Sequence, residues 1–250
     1  MDTGSSSRQG NPVPASTHLD DLCFDLCFHP SQPLLAAACI TGDICVYDCE
    51  EEEADLVAFL PVHSDSCRGV LFNPLDGGEH IISVSSDRSI RMTNVDSGDV
   101  SWEKLKAHKE PINCMEFCEN IALATGCDGG VVKLWDPRQD GCAMRFHEHG
   151  DYVSGLRYSP DHGFLYSSSG DGTLNIFDLR TGNLVNGSHS SEDDLLCVEI
   201  VGSGSYVCVG SQEGLLHLFR FDNWGLPEDT LPGHSQSVDR ILKVSETAIC

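Results

Sequence analysis

The sequence repeats itself, and this repeat constrains the fold more than any other feature. Five segments share one pattern around a tight turn: ITGDICVYD, SSDRSIRMTN, GCDGGVVKLWD, SGDGTLNIFD and SQEGLLHLFR. Their aligned turn residues are Thr41, Asp87, Asp128, Asp171 and Glu213, so successive turns are 46, 41, 43 and 42 residues apart. A nearly fixed period of this size indicates an array of equivalent structural units.

Short apolar runs fill each repeat, and Gly, Asp, Asn, Ser and Pro separate them. Alternation of apolar and polar residues favours strands, and no stretch keeps the 3.6-residue period of an amphipathic helix. Units of about 40–45 residues built from four strands are the blades of WD-repeat β-propellers. The sequence therefore predicts an all-β propeller with five blades and the start of a sixth.

The repeat also divides the chain into regions. Residues 1–17 are rich in Ser, Gly and Pro, which is typical of a disordered leader, and residues 18–250 are the predicted propeller. The expected blades are 19–58, 59–103, 104–145, 146–186 and 187–230, with the start of a sixth at 231–250. Because a propeller closes by pairing its last blade with an N-terminal strand, we expect a fragment or truncated product with an unpaired sheet edge.

Histidines precede an apolar strand in most repeats, and we expect them to be structural. In the third repeat, Asp128 can accept a hydrogen bond from His108. The other ring nitrogen of His108 can reach Thr125, which can in turn accept from the indole N–H of Trp135. Such a chain satisfies buried polar groups and fixes the turn between two strands.

The second and fourth repeats are expected to hold shorter networks, because Thr93 and Phe177 replace the tryptophan. The residues assigned to them are His63, Asp87, His149 and Asp171. His189 and His234 occupy similar places before the fifth and sixth units.

The segment LWDPR is the strongest local motif. Its functional interpretation is a WDxR-type docking element of Trp135, Asp136 and Arg138, in which the arginine pairs with a carboxylate on a partner protein. FDLR repeats it more weakly through Asp178 and Arg180. The alternative is that Trp135 and Asp136 belong to the blade consensus and that Arg138 is a solvated loop residue.

Two acidic runs are further candidates, EEEAD at 51–55 and SEDD at 191–194. They could receive a basic peptide, and SEDD resembles a site for an acid-directed kinase, although charge runs are usually solvated loops. Asp193 and Asp194 lie near His189, but no third ligand or oriented nucleophile follows at a useful spacing. We therefore expect no catalytic residue, no metal and no cofactor.

The charge balance bears on partners. The chain has 39 acidic and 15 basic residues, with a formal net charge of -24, which disfavours direct binding of nucleic acid or an anionic membrane and favours basic protein partners. No apolar run approaches the roughly 20 residues of a membrane-spanning helix. The 13 cysteines include no C-x-x-C motif, and no secretory leader is apparent, so we expect free thiols in a reducing compartment.

Several blocks are far more specific than the repeat itself. They include FDLCFHPSQPLLAAACITGDICVY, GCDGGVVKLWDPR, HGDYVSGLRYSPDHGFLYSSSGDGTLNIFDLRTGN, SSEDDLLCVEIVGSGSYVCVGSQEGLLHLFRF and LPGHSQSVDRILKV. In order and spacing, from about residue 19 to the end, they resemble the WD repeat-containing protein 55 family.

This resemblance implies a non-catalytic protein-interaction scaffold. The full-length family form would be a seven-bladed nuclear or nucleolar propeller that supports ribosomal RNA production and cell-cycle progression, with pre-ribosomal proteins as partners. Plant members are also similar to substrate receptors of cullin-4 ubiquitin ligases, which dock on the damage-specific DNA-binding adaptor through a WDxR motif. Trp135, Asp136 and Arg138 match that motif. The resemblance therefore leaves a ribosomal role and a ubiquitin-ligase role open.

Overall fold

The computed structural model describes residue 19 and residues 21–118, 122–139, 141–202, 204–245 and 248–250. The leader expected at 1–17 lies outside these residues. All regular elements in the described part of the chain are β-strands. Among the same residues, we find no helix long and apolar enough to cross a membrane.

Five four-stranded antiparallel sheets follow one another along the chain, and each joins its strands in sequence order. The strands of the first three sheets are β1 Cys23–Phe28, β2 Leu34–Cys39, β3 Asp43–Asp48 and β4 Asp55–Pro61; β5 Cys67–Phe72, β6 His80–Ser85, β7 Ile90–Asn94 and β8 Val100–Lys104; β9 Ile112–Phe117, β10 Leu123–Cys127, β11 Val132–Trp135 and β12 Cys142–Phe146.

The fourth and fifth sheets have the same order, and a two-stranded sheet follows them. Their strands are β13 Val153–Ser159, β14 Phe164–Ser169, β15 Leu174–Asp178 and β16 Asn183–Gly187; β17 Leu195–Val201, β18 Tyr206–Ser211, β19 Leu215–Arg220 and β20 Asp229–Pro232; β21 Lys243–Ser245 and β22 Ala248–Ile249. Five blades and a partial sixth confirm the predicted propeller. The first sheet continues to Pro61, beyond the limit of 58 expected for the first blade.

One turn sets the phase of the repeat. The residue that ends the tight turn between the second and third strands has a positive φ in every blade: Gly42, Arg88, Gly130, Gly172 and Gly214. Each donates its N–H to the carbonyl three residues earlier. These positions are 46, 42, 42 and 42 residues apart, so the three-dimensional repeat is more regular than the sequence alignment.

This phase corrects the position of Asp128. Asp87 and Asp171 each stand one residue before the positive-φ residue of their turns, but Asp128 stands two residues before Gly130. The residue of the third blade that corresponds to Asp87 and Asp171 is Gly129. Because the repeats were aligned on their aspartates, the predicted position in the third blade is one residue too early.

The hydrophobic core lies between neighbouring blades. Separate clusters join the first and second sheets, the second and third, the third and fourth, and the fourth and fifth. Between the third and fourth blades, the rings of Phe146 and Phe177 stack with their centroids 4.2 Å apart. Each fully buried side chain of this size contributes about 1.5–3 kcal/mol, so the contacts between blades stabilise the fold substantially.

The first blade shows how much this burial depends on a neighbour. Leu26 and Phe28 on β1 are 52% and 68% exposed. Their equivalents on β5 are Val70 and Phe72, which are 0% and 4% exposed because they pack against the first blade. The same strand position is therefore core or surface according to whether another sheet covers it.

The first strands of the blades surround a central channel of about 500 Å³. Arg240, in the segment after the fifth sheet, reaches across to Asp25 on β1 with 3.0 Å between Nη2 and Oδ1. The start of the sixth unit is thus joined to the first blade by an ion pair at the channel.

Candidate functional site

The fourth blade contains a complete hydrogen-bonded network around its turn. His149 Nε2 lies 2.8 Å from the hydroxyl of Ser167, and its Nδ1 lies 3.0 Å from the hydroxyl of Thr173 and 3.4 Å from Asp171 Oδ2. Asp171 accepts hydrogen bonds from the N–H and hydroxyl of Thr173 and from the N–H of Gly150. The carboxylate therefore ties the turn to the loop that enters the blade.

The second blade repeats this arrangement. His63 Nε2 lies 2.8 Å from Ser83 Oγ, while Nδ1 lies 3.1 Å from Asp87 Oδ2 and 3.0 Å from Ser89 Oγ. Asp87 also accepts from the N–H groups of Ser64 and Ser89. The structure thus brings together the histidine and aspartate assigned to each of these two blades.

These contacts depress the pKa of both aspartates. Burial alone would raise the pKa of Asp87, but hydrogen bonds from His63 and Ser89 hold it well below its usual range. The pKa of Asp171 is lowered in the same way, because hydrogen bonds from His149 and Thr173 outweigh the effect of burial. Both groups are carboxylates that hold the turn to the loop that enters the blade.

The third blade differs, and the expected contact between Asp128 and His108 is wrong. His108 Nε2 does lie 2.8 Å from Thr125 Oγ1, and the indole N–H of Trp135 donates to the same oxygen over 2.8 Å. Asp128, one residue out of phase, instead accepts from the side chain of Asn113 and lies 3.6 Å from Arg68. It faces the central channel rather than the histidine.

A lysine, and not a carboxylate, lies near His108. Lys133 is buried, donates to the carbonyl of Ala107, and holds its Nζ 5.4 Å from the ring centroid of Trp135. Burial, and secondarily the positive charge of Lys133, lower the pKa of His108 to about 3. The third network is therefore built around a neutral imidazole.

In the fifth blade, a serine stands at the position that corresponds to His63. The N–H of Ser191 donates to the carbonyl of Gly172 in the fourth blade, as the N–H of His63 donates to the carbonyl of Gly42 in the first blade. His189, which the sequence placed in this position, lies two residues earlier and donates its N–H to Gly225. Its proposed equivalence with the other histidines is therefore wrong.

The docking candidate Arg138 is held by its own chain. Its Nε lies 2.9 Å from Asp136 Oδ1 and its Nη2 2.8 Å from Oδ2, and its N–H also donates to Oδ1. This contact is the first cause of the low pKa of Asp136, about 2. The Arg138 side chain remains 62% exposed. Asp136 therefore fixes the direction of a guanidinium that still faces solvent.

The next blade has the weaker form that FDLR predicts. The Arg180 N–H donates to Asp178 Oδ1 over 2.8 Å, and its Nε lies 3.3 Å from the same atom. The Arg180 side chain is 70% exposed. Two consecutive blades thus carry an Asp–Arg pair at the end of the third strand, on one face of the propeller.

Comparison with known proteins decides the family. The family model described as WDR55 matches residues 14–250. The WD repeat-containing protein 55 of Bos taurus is 34% identical over 227 residues, which are 90% of this chain and 59% of that protein. The proteins of the same name from Homo sapiens and Arabidopsis thaliana are 32% and 37% identical, over 99% and 89% of this chain and 67% and 63% of theirs.

The chain belongs to the WD repeat-containing protein 55 family. It spans 59% of the Bos taurus relative and 64% of the Mus musculus relative, so the activity and partners of a whole family member are matters for proposal. Membership supports a WD-repeat propeller whose general use is contact with other proteins.

The family propeller also contains a half-buried charge cluster that the sequence did not indicate. Arg157 on β13 joins Glu116 of the third blade and Glu199 of the fifth, with N–O distances of 3.3 and 2.7 Å. Burial raises the pKa of Glu116, although Arg157 opposes the shift. The three residues occupy the same place in β9, β13 and β17, and this shared strand position is the signal that an inter-blade alignment could have used.

The acidic run at 191–194 is integrated into the fold. Asp193 accepts the N–H of Glu213 in the turn of its own blade, and Asp194 accepts the hydroxyl of Tyr152 from the fourth blade over 3.0 Å. Burial, with help from Asp194, raises the pKa of Tyr152 to about 12. Residues 51–53 of the other run are exposed. Its last residue, Asp55, begins β4 and pairs with Asp48 of β3. The later run is tied to other elements through side chains, and the earlier run is tied through the backbone of Asp55.

The cysteines are all described, and all 13 are free thiols. Burial raises the pKa of many of them, including Cys67 and Cys114, which keeps these sulfurs protonated. Within the described part of the chain, no group of three or more His, Cys, Asp or Glu side chains is arranged to hold a metal ion.

Proposed function

We propose that this chain is a non-catalytic protein-interaction scaffold that supports ribosomal RNA production in the nucleolus. The observation that carries the proposal is the excess of 39 acidic over 15 basic residues on a propeller of the WD repeat-containing protein 55 family. Ribosome assembly involves highly basic proteins, and a surface of net charge -24 attracts such partners at long range. Nucleic acid itself would be repelled.

Depletion in cells tests the ribosomal role. We expect that removing the endogenous protein causes precursor ribosomal RNA to accumulate after pulse labelling, and that re-expression of this protein restores processing. The tagged protein should colocalise with a nucleolar marker. Normal processing after complete depletion would refute the role.

A second function is proposed because of the Arg138 geometry. A guanidinium that is fixed by Asp136 and 62% exposed suits a carboxylate on a flat protein surface. We propose that it contacts the damage-specific DNA-binding adaptor of a cullin-4 ubiquitin ligase, with this chain as substrate receptor. Arg180 would add a weaker contact from the next blade.

Co-purification tests the adaptor contact. We expect Arg138→Ala to lose most of the adaptor, Arg180→Ala to lose part of it, and Arg145→Ala to retain it. Arg145 is a matched control because it is exposed in the same blade but lies on the outer strand. Equal recovery with Arg138→Ala and Arg145→Ala, at equal thermal stability, would reject the adaptor proposal.

A further inference from the structure

An apolar cavity of about 140 Å³ opens between the second and third blades. The residues that line it are Asn73, Leu75, Ile82, Met92 and Trp102 of the second blade and Phe117, Leu123, Trp135 and Pro137 of the third. Pro137 stands between Asp136 and Arg138 in the chain, and Leu75 belongs to the loop after β5. The cavity therefore opens on the face that carries the two Asp–Arg pairs.

The size of the cavity selects its occupant. Pockets for cofactors and drug-sized molecules measure roughly 300–1,000 Å³, well above this volume. An apolar cavity of roughly 150 Å³ accommodates a molecule the size of benzene. Leu75 at the rim is 57% exposed, so the apolar surface continues outward. This space fits one large apolar side chain.

The charges beside the cavity indicate which residues would flank that side chain in the partner. Two adjoining loops of the second blade, residues 73–79 and 94–99, contain no Lys or Arg. They are connected, because the N–H of Val95 donates to the carbonyl of Glu79 over 3.0 Å. The carboxylates that they carry are Asp76, Glu79, Asp96 and Asp99. A segment docked here would gain from basic residues on this side.

We propose that this cavity receives one Phe or Leu side chain from a partner protein, within a segment whose neighbouring residues are Lys or Arg. The inference deepens the protein-interaction role proposed above and rests on it. It adds a binding site distinct from the contact assigned to Arg138, and it names the chemistry of the partner.

Synthetic peptides provide the test. The probe is a labelled nonapeptide of Lys, Arg, Gly and Ser with Phe at its centre, and its binding to the whole chain is followed by fluorescence anisotropy. Replacing the central Phe by Ala should weaken binding at least about tenfold, because the apolar burial of the ring is lost. Replacing Lys and Arg by Glu should abolish binding. Equal affinity of the Phe and Ala peptides would overturn the proposal.

Variants of the protein test whether the peptide binds at this cavity. Leu75→Ser should weaken the Phe peptide several-fold, whereas Leu105→Ser should not; the two leucines are 57% and 58% exposed, and Leu105 lies in a loop at the opposite face. Trp102 and Trp135 line the cavity, so the Phe peptide should also change the intrinsic fluorescence. Equal effects of the two substitutions would overturn the assignment.

Two further results separate the alternatives. Phenethylamine binding as tightly as the peptide would reveal a small-molecule site and overturn the proposal. Loss of Phe-dependent binding would leave the depletion result standing, whereas normal ribosomal RNA processing after depletion would reject the ribosomal role and leave the peptide result standing.

Discussion

The second and fourth blades differ from the third in how they brace the same turn. In the second and fourth, an aspartate one residue before the turn's end accepts from a histidine, a hydroxyl and backbone N–H groups. In the third, Gly129 stands at that position, and His108 bonds to Thr125 Oγ1, which also accepts from the indole N–H of Trp135. The same turn is thus stabilised by a network around an ionised carboxylate in two blades and by a network around a neutral imidazole in another.

The difference shows that the partners of an aspartate in this turn depend on its distance from the positive-φ residue, and not on the residue type alone. Asp128 is an aspartate in the right turn, yet a shift of one residue sends its carboxylate to Asn113 and Arg68 at the channel. Neighbouring residues of a tight turn point in different directions, so a displacement of one position changes every partner. The two kinds of network should respond differently to mutation and to pH.

Removing the phased carboxylate should have the largest effect. Asp171→Ala leaves His149, Thr173 and the N–H of Gly150 without their shared acceptor, and should destabilise the protein by about 2–4 kcal/mol. The matched control is Asp128→Ala, which should cost less than about 1 kcal/mol because Asp128 is partly exposed. Denaturant midpoints of the two variants measure the difference. Equal midpoints would contradict the importance of phase.

Acid should weaken the third blade before the other two. The pKa of His108 is about 3 in the folded protein and about 6.5 in the unfolded chain, so its contribution is complete above pH 6.5 and declines as the pH falls toward 3. At pH 5 the loss should be about 2 kcal/mol. The pKa values of Asp87 and Asp171 are lowered from 3.8, so their contribution to stability is lost only as the pH falls below 3.8.

Hydrogen exchange measures this difference blade by blade. Amides of β9–β11 should lose protection between pH 7 and 5, after correction for intrinsic rates, while those of β13–β15 should keep theirs. His108→Gln should remove the pH dependence from the third blade. Parallel loss in both blades would show that His108 is not its source.

Shortening the neutral network should have a moderate effect. Trp135→Phe removes the indole N–H that donates to Thr125 and should cost about 1–2 kcal/mol. Phe177 already occupies the equivalent place in the fourth blade, so Phe177→Leu is a control for packing without a hydrogen bond. Thermal unfolding compares the two. A Trp135→Phe protein as stable as the wild type would show that the Thr125–Trp135 bond contributes nothing net.

The sequence predicted the repeat, the strands and most network residues, because alternation and turn chemistry are local signals. It failed where partners come from neighbouring blades. Asp128 and Asp171 are each followed by glycine and differ only in their distance from the positive-φ residue, and the Glu116–Arg157–Glu199 cluster crosses three blades. The cavity beside Pro137 likewise depends on two blades at once. Contacts between units that lie about 40 residues apart in the chain require the inter-blade register, which follows only from the folded turn.

The smallest expected effect comes from restoring the missing carboxylate. A Cβ on Gly129 would lie 3.1 Å from Glu110 Cγ, and Glu110 is exposed and able to move aside. Gly129→Asp should therefore place a carboxylate near His108, raise the pKa of this histidine, and stabilise the protein by about 0.5–1 kcal/mol. The denaturant midpoint at pH 7 measures the gain, and the fall between pH 7 and 5 should become smaller. Gly129→Asn is the control, because it adds the same volume without the charge. If both variants lower the midpoint equally and leave the pH dependence unchanged, Lys133 and the neutral His108 form a network that excludes an anion. The three blades would then share the backbone of the turn but not its side-chain network.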